Sequence, residues 1–396
     1  MDICKTCKNK LYCGKKGCLI YSKLLGLKTN KLIEGNKDFF GDVPNIFVGR
    51  YGYPDIRVGM LSTEEYMGND NTKLWIEKKF DIDKIISLRS LMINSTFNVS
   101  VKTKNNRFLE TSQEIALSKK PVDVEINLDK VPKFGIVNPQ REAIPFGPSV
   151  KLMKASICEN PKIPMKVEKV VSDSDLKAVD AMSYLSKNGY DEHYLTKILS
   201  SGSVGVKTQR KLVPTRWAIT AVDDTLGKGK IRKIKDFRSS AFKIHFGGYM
   251  GNYYIALFFP GVWSYELFET YVHSSEYCTD YENYDGRKEY ASATAGGYYA
   301  ARIGLLEKME LSKEQASVLL LRFITDEYYA PLGVWVVRTA VRKCMESDVL
   351  EFDCREKMIE HALNFIKQRF TYDAQEMIKN SLLIKEIKEQ RKLFEF

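Results

Sequence analysis

The sequence predicts a mixed α+β protein with a small cysteine-rich module ahead of two larger bodies. Strand-like runs occur throughout; in one of them Val122, Val124 and Ile126 alternate with acidic residues, as in a half-buried strand. Longer stretches such as Asp173–Leu199 have helical character. The chain has 396 residues, which is enough for two or three domains with sizeable cores. Because both kinds of segment are present, we predict the α+β class.

Composition and the positions of the prolines divide the chain into four predicted segments. They are a Cys4 zinc-finger-like module at 1–35, an N-terminal α+β body at 36–205, a C-terminal α+β body at 206–380 and a clamp-interacting tail at 381–396. Six prolines between residues 132 and 164 mark an irregular stretch, because proline cannot continue a helix.

Local patterns predict the main elements of the two bodies. The predicted strands are Asn45–Val48, Val122–Ile126, Trp217–Val222 and Tyr253–Phe259. The predicted helices are Asp173–Leu199, 287–310, 312–324 and 355–389. Ser312 with Gln315 fits a capping box for the third helix. The last part of the fourth helix, from Ser381, is rich in lysine and glutamate, so we expect it to be exposed.

The chain is basic, and the excess is concentrated in two regions. The formal net charge is +11. Residues 1–35 hold eight lysines against two acids, a balance of +6, and residues 205–243 hold eleven basic residues against three acids, a balance of +8. A clustered basic excess favours polyanionic partners such as nucleic acid, although a basic proteome would also produce it.

Targeting signals are not recognisable in the sequence. No apolar run approaches the ~20 residues of a membrane span. The first residues lack the basic start and apolar middle of a signal peptide. We therefore expect a cytoplasmic protein with no membrane partner.

Four cysteines near the N-terminus predict a metal site. Cys4, Cys7, Cys13 and Cys18 have the spacing C-x2-C-x5-C-x4-C. Four thiolates bind Zn²⁺ in closed, structural sites, and so short a segment needs metal binding to fold. We predict Zn²⁺, with an iron–sulfur cluster as the alternative, because the spacing departs from the common paired pattern.

The last seven residues resemble a peptide that binds the sliding clamp PCNA. They are Gln390, Arg391, Lys392, Leu393, Phe394, Glu395 and Phe396. Leucine and phenylalanine at an exposed, charged end are costly unless a partner buries them. In this binding mode they enter an apolar groove while the glutamine fills a polar pocket. The aromatic residues are not adjacent, as they usually are, and packing of the tail on its own domain is the alternative.

Several long segments resemble the archaeal Nre family of DNA-repair proteins. The resemblance covers nearly the whole chain and is carried by the four cysteines and by Phe47–Pro54, Val213–Asp224, Gly251–Tyr254, Ala295–Arg302 and Tyr328–Trp335. It implies a part in the repair of DNA damage, binding to PCNA through the terminal peptide and a zinc-binding N-terminus. It does not imply a reaction. Other repair proteins are further candidate partners.

Enzymatic activity is left open by the residues themselves. No phosphate-binding P-loop, H-E-x-x-H or G-x-S-x-G motif is present. The candidate catalytic residues are Arg50, Arg216, Asp223, Asp224, His245 and Glu327. An arginine beside a tryptophan can pair with a phosphate while the ring stacks on a base. Two adjacent carboxylates could hold Mg²⁺ if they lie on a turn, but they are more typical of a simple turn or cap.

One basic segment predicts DNA contact more directly. Its cations are Lys228, Lys230, Arg232, Lys233, Lys235 and Arg238, which we expect on a flexible ribbon that neutralises phosphates. A solvated hairpin is the alternative. Three functions follow: a DNA-binding repair factor recruited to PCNA, a metal-dependent nuclease, and an RNA-binding or tRNA-processing protein.

Overall fold

A computed structural model describes Leu11, residues 16–18, residues 36–133 and residues 147–389. The described residues divide into two compact units. The first unit contains those up to Leu226 together with Tyr329–Leu332. The second contains Gly227–Tyr328 and the described residues from Gly333 onward.

The first unit is built on a closed five-stranded barrel. Its strands are β1 (Asp38–Val48), β2 (Asp55–Thr63), β3 (Ile93–Ser100), β4 (Val122–Leu128) and β5 (Ser149–Ile157). The strand order is β1-β2-β3-β5-β4, with β4 pairing back to β1. All pairs are antiparallel except β3 with β5. The predicted strands at Asn45–Val48 and Val122–Ile126 are confirmed.

Strand β1 closes the barrel because it bends. Its first half pairs with β4 and its second half pairs with β2. Between Asp42 and Asn45 the register with β2 shifts, so that β1 holds one more residue than its partner. Such a bulge increases local twist and redirects a strand. One continuous strand can therefore belong to both sides of the barrel.

A helix closes one end of this barrel. Helix α3 (Arg107–Leu117) lies between β3 and β4 in the chain. Two shorter helices, α1 (Thr72–Glu77) and α2 (Ile82–Ser90), lie between β2 and β3. Leu109, Ile115 and Ala116 of α3 join the barrel core. Five strands in this order, with a parallel β3–β5 pair and a helix between β3 and β4, are the topology of the OB fold.

A buried network of charged and polar groups holds the bulge of β1. The Asp70 carboxylate accepts from Arg89 at 2.5 Å and from Asn45, beside the bulge, at 2.6 Å. His193 lies 3.2 Å from the same carboxylate. Burial by itself would raise the pKa of Asp70, but Arg89 and His193 outweigh it and hold that pKa well below its usual value. The buried Lys197 ammonium donates to the carbonyl of Pro44 at 3.2 Å.

Helices complete the first unit. They are α4 (Met165–Ser172), α5 (Ala178–Lys187) and α6 (Glu192–Ser200), followed by α7 (Thr215–Ile234), which continues into the second unit. The helical character predicted for Asp173–Leu199 is confirmed, although it is divided between α5 and α6. The strand predicted at Trp217–Val222 is wrong, because these residues lie in the N-terminal half of α7. A short apolar run does not distinguish a strand from a helix.

The second unit is built on a six-stranded sheet. Its strands are β7 (Phe242–Tyr249), β8 (Asn252–Phe259), β9 (Ser264–Tyr271), β10 (Tyr277–Glu282), β12 (Ser317–Ile324) and β13 (Leu350–Phe352), in the order β10-β9-β12-β8-β7-β13. A small parallel pair joins β6 (Arg238–Ser239) with β11 (Glu314–Gln315). The strand predicted at Tyr253–Phe259 is confirmed.

Helices cover both faces of this sheet. Helices α8 (Ala295–Ser312) and α9 (Trp335–Glu346) pack against Tyr254, Ala256 and Phe258 on one face. Helix α10 (Arg355–Phe370) packs against the alternate residues of β8 on the other face. The helix predicted at 312–324 is wrong, since Ser317–Ile324 is the fully buried strand β12. A strand buried on both faces has no alternation to reveal it.

The last helical region of the described chain is divided into three helices, and its final helix packs on the sheet, unlike the prediction. The single helix expected at 355–389 is instead α10, α11 (Gln375–Asn380) and α12 (Leu382–Glu389). Helix α12 is not wholly exposed, because Leu383 and Ile384 are buried against the sheet. The helix predicted at 287–310 is confirmed in α8, which begins at Ala295. These elements confirm the α+β class for the described part of the chain.

We predict that Asp70→Asn destabilises the barrel by about 3 kcal/mol, because it leaves the buried Arg89 without its counter-ion. Amide hydrogen exchange of peptides from β1 and β3, followed by mass spectrometry, should become roughly 100-fold faster. This measurement reports on the first unit alone, whatever the second unit does.

The matched control is Glu125→Gln, which breaks the exposed pair with Lys154 in the same barrel at a cost below about 1 kcal/mol. Because the pKa of Asp70 is lowered on folding, its contribution is present above the unfolded pKa of about 4 and is lost as the pH falls. Unchanged exchange in Asp70→Asn would contradict the role assigned to this network.

Candidate nucleic-acid interface

The loop between β1 and β2 presents aromatic and basic side chains at one end of the barrel. Tyr51 is 80% exposed, and the Arg50 guanidinium lies 5.2 Å from the centre of its ring. Gly52 has φ of +82°, and a Cβ there would lie 2.7 Å from the carbonyl oxygen of Asp55. Glycine is therefore required for the tight turn that holds Tyr51 and Arg50 outward.

Helix α7 brings a second aromatic residue to this loop. The Thr215 hydroxyl accepts from the backbone amide of Val48 at 2.9 Å, which fixes the start of the helix at the end of β1. Trp217 then lies with its ring centre 5.2 Å from that of Tyr53, at 52°. Both rings are nearly half exposed. Arg216 precedes Trp217 on the exposed surface of the same helix turn.

Two segments that the sequence nominated separately thus meet in the first unit. We call the set Arg50, Tyr51, Tyr53, Arg216 and Trp217 the loop cluster. Exposed rings supply flat surfaces for stacking of bases, and guanidinium groups pair with phosphate. The cluster therefore has the chemistry to bind a nucleic-acid strand.

The adjacent carboxylates have a different setting from the one expected. Asp223 and Asp224 lie within α7, neither on a turn nor at a cap, and Asp223 is fully buried. Neighbouring residues on a helix point about 100° apart, so the two cannot face one ion together. In the ranges that the structure describes, no group of three or more His, Cys, Asp or Glu side chains could hold a metal ion.

The remaining catalytic candidates, His245 and Glu327, lie in the second unit. His245 is a buried residue of β7 whose ring packs 5.4 Å from that of Phe258. Burial, followed by the charge of Lys308, lowers the pKa of His245 to about 4, so that it is neutral at pH 7. Glu327 is exposed and accepts from the Tyr253 hydroxyl at 3.1 Å.

The basic segment is helical, not a ribbon. Residues 228–234 form the last part of α7, and Arg238 lies in β6. Lys230 and Lys233 both pair with Glu310, at 2.8 and 2.5 Å, and lower its pKa to about 2 despite partial burial. Arg238 pairs with Glu314, and Lys235 lies 3.7 Å from the ring centre of Tyr284. At least four of the six cations therefore have partners within their own unit.

Two predicted sites fall largely outside the described residues. Cys4, Cys7 and Cys13 of the metal module lie there, although Cys18 does not. All seven residues of the clamp-binding peptide, from Gln390 to Phe396, lie there too. What the structure does show is the support for the tail. The buried Glu266 carboxylate accepts from the Ser381 hydroxyl at 2.5 Å and from the Leu383 amide at 3.0 Å, which anchors α12 to β9.

Comparison with known sequences identifies the family. A sequence model described as Archaeal Nre, N-terminal, matches residues 12–278, and one described as Archaeal Nre, C-terminal, matches residues 282–396. The chain belongs to the archaeal Nre family. The resemblance seen in the sequence is thereby confirmed.

Three named relatives of this Nre chain are similar over most of their length. DNA repair protein NreB of Archaeoglobus fulgidus is 34% identical over 411 aligned positions, which cover 99% of each chain. DNA repair protein NreA of the same organism is 36% identical over 356 positions, covering 87% of this chain and 88% of the relative. DNA repair protein NreA of Haloferax volcanii is 35% identical over 340 positions, covering 81% and 80%.

Structural comparison adds no further relative. No solved structure matches the Nre chain. The barrel's classification therefore depends on its own strand order and register. Among the helices that the structure describes, none is both long enough and apolar enough to cross a membrane.

Sequence reasoning missed the polar face of β2 and β3. Asn94, Thr96 and Asn98 alternate with core residues of β3, and Arg57 lies opposite Asn98 on β2. The alternation Asn-Ser-Thr-Phe-Asn-Val from residue 94 was a usable signal for a strand with one polar face. It was hidden because Ser95 places a small polar residue on the core side.

Proposed function

We propose that this Nre protein is a DNA-repair factor that binds DNA and is recruited to the sliding clamp PCNA through its C-terminal peptide. The names of the Nre relatives support the repair role, and the loop cluster is the observation that supports DNA contact. A clamp-bound factor works on chromosomal DNA, so a cytoplasmic location and contacts with other repair proteins are part of the proposal.

The loop cluster supports DNA binding because it combines stacking surfaces with cations. Trp217 and Tyr53 are 44% and 43% exposed, more than a pair that serves only as core requires. Arg50 directly precedes Tyr51, and Arg216 directly precedes Trp217. Rings of this kind stack on bases of any sequence, and cations contact the phosphates between them. Binding through the cluster should therefore be largely independent of sequence.

The anchoring of α12 supports the clamp-binding role of the tail. The helix packs Leu383 and Ile384 on the sheet, and Glu266 receives its first hydrogen-bond donors. The peptide from Gln390 onward begins directly after this fixed helix. The peptide can therefore be deleted without removing any residue of α12.

A structural Zn²⁺ ion in the N-terminal module is also part of the proposal. The four cysteines have the residue types for a closed thiolate site, and five lysines between them would offset its negative charge. An iron–sulfur cluster is the alternative occupant. In this scheme the metal has a structural role and takes part in no reaction.

We predict that Trp217→Ala weakens DNA binding about 5- to 100-fold, because each lost stacking contact is worth ~1–3 kcal/mol. The measurement is the fluorescence anisotropy of labelled oligonucleotides titrated with the full chain. Tyr53→Ala should have a similar effect, and the double variant should lose less than the product of the two, since the rings contact each other.

The matched control is Tyr271→Ala, which removes an aromatic side chain that is 60% exposed on the second unit. It should leave DNA affinity unchanged. If Tyr271→Ala and Trp217→Ala have equal effects, the loop cluster is not the DNA-contacting surface. Thermal unfolding of each variant separates loss of binding from loss of fold.

We predict that deletion of Gln390–Phe396 abolishes PCNA binding and leaves the thermal unfolding midpoint unchanged. Substitution of Leu393, Phe394 and Phe396 by alanine should act like the deletion, because these side chains carry the apolar contact. The measurement is isothermal titration calorimetry against the clamp of the same organism.

Lys388→Ala is the control, since it alters an exposed cation of α12 outside the peptide. Clamp affinity that survives the deletion would refute recruitment through the tail. A lowered unfolding midpoint would instead show that the tail packs on its own domain.

We predict about one zinc ion per chain in the purified full-length protein, measured by elemental analysis. Cys4→Ser with Cys7→Ser should remove the ion, and Cys158→Ser, which alters an exposed cysteine elsewhere, should retain it. If the protein contains iron and absorbs visible light, the site holds an iron–sulfur cluster instead of zinc. No bound metal would refute both.

A further inference from the structure

A groove runs over the outer face of β2 and β3 in the barrel. Two cavities, of about 460 and 490 Å³, share Arg57, Thr96, Asn98 and Ser149 in their walls. The first extends to Tyr51 of the loop cluster. The second extends to Phe108, Lys130 and Lys151. Because the two cavities share these four lining residues, they are neighbours on one face of the barrel, and we call them together the barrel groove.

Strand register defines the floor of the barrel groove. Phe47 of β1 lies opposite Gly59 of β2, Gly59 opposite Thr96 of β3, and Thr96 opposite Lys151 of β5. This row crosses four strands on their outer side. Arg57 and Asn98 form the next row. The floor is thus polar at its centre, with an aromatic ring at one side and a lysine at the other.

Gly59 and Asn94 lie in close contact in the groove, and this contact is not required by the barrel fold. A Cβ on Gly59 would lie 1.6 Å from the Asn94 Oδ1 atom, so only glycine leaves room for this amide. Among the residues that the structure describes, none donates a hydrogen bond to the buried Asn94 Oδ1 atom. Glycine inside a strand and an unpaired buried acceptor are both destabilising. Together they indicate a place where a ligand donor approaches the backbone.

The charged and aromatic groups around the floor suit a nucleic-acid strand. Arg57, Lys130 and Lys151 provide cations against the carboxylates of Asp55 and Asp129. The excess of positive charge is small. Stacking and hydrogen bonds must therefore supply much of the affinity, and the rings of Tyr51 and Phe108 stand at opposite ends for this purpose.

We propose that the barrel groove binds single-stranded DNA, with a base amino or imino group donating to Asn94 Oδ1. This deepens the proposed function, on which it rests, by naming the form of DNA and the surface that holds it. Arg57 and Lys151 contact the phosphates, and the strand continues past Tyr51 onto the loop cluster. The β2–β3 face is also the side on which barrels of this topology bind oligonucleotides.

The geometry favours a single strand over a duplex. In a duplex the Watson–Crick donors already pair with the opposite strand, so the Asn94 acceptor would stay unsatisfied. Tyr51 and Phe108 can stack only on bases that have left the helical stack. Each cavity lies within the roughly 300–1,000 Å³ range of small-ligand sites, which accommodates separate bases better than a double helix.

The test uses the full chain and a labelled mixed-sequence oligonucleotide of about 12 nucleotides. Anisotropy titrations compare it with the matching DNA duplex and with RNA of the same sequence. We expect the DNA single strand to bind at least 10-fold more tightly than either. Tighter binding of the duplex or of the RNA would overturn the proposal.

Two variants address the groove itself. Asn94→Ala should weaken single-strand binding about 10-fold, yet leave stability unchanged or raised, because it removes an unpaired buried oxygen. A residue with only a structural role would show the opposite pattern. Arg57→Ala should make the slope of log affinity against log salt shallower by about 0.7, the value for one phosphate contact on a single strand.

Matched controls lie on the barrel but outside the walls of the barrel groove. Asn127→Ala removes an amide from β4, and Lys154→Ala removes an exposed cation from β5; both should bind like the wild type. Equal losses in controls and groove variants would overturn the groove assignment. Clamp binding is measured on the same variants. Groove variants that bind DNA normally while the tail deletion abolishes clamp binding would refute the groove and retain recruitment.

Discussion

The first unit depends on the pairing of Asp70 with Arg89 inside the protein. This pair lies where β1 changes partners, and Asn45 connects it to the bulge. The extra residue in β1 would leave polar groups unsatisfied beside a closed core, and a buried charge without a partner is costly. Asp70 accepts a hydrogen bond from Asn45, and the Lys197 ammonium donates one to the carbonyl of Pro44. Burial lowers the pKa of Lys197 to about 8. The bend is thus fixed by electrostatics, and the bend allows five strands to close a barrel.

Much of the fold could be predicted where one face of an element meets water. Strand β4 was found because its buried and partly exposed residues alternate. Strand β12 was not found, because all eight of its residues are buried and its leucines favour helix equally well. Trp217–Val222 failed for a related reason, since its β-branched and small residues suit a strand locally while the core contacts of Ala218 and Val222 require a helix. Strand β8 is also buried, and it was predicted because its apolar run ends at Pro260-Gly261. Where neither alternation nor a turn signal marks an element, contacts distant in sequence decide its form.

The candidate site shows the same limit in chemical terms. Arg50 with Tyr51, and Arg216 with Trp217, could each be nominated from residue type. Their convergence could not, because it depends on the bond between Thr215 and Val48 and on α7 being a helix. The formal charge of the basic segment led to the opposite error, because it predicted a DNA contact that the ion pairs of the fold do not support. The cations at 228–238 looked available in sequence, but Glu310 and Glu314 neutralise several of them, and neither acid lies near them in the chain. A count of lysines measures attraction to DNA only after the ion pairs of the fold are known.

A weakly charged groove and a clamp-binding tail make physical sense together. The barrel groove has three cations against two carboxylates, so that on the proposed function its affinity for DNA would come from contacts that require an unpaired strand. Such a surface discriminates well but searches slowly, because long-range electrostatic attraction is what speeds encounter with DNA. Tethering to a ring that already encircles DNA replaces that attraction by raising the local concentration of strand ends and gaps to about the millimolar range. On the proposed function, the tail keeps the protein close to DNA but does not distinguish single strands from duplex. The groove distinguishes them but does not speed the encounter with DNA. Loss of either part should therefore impair repair even though the other remains intact.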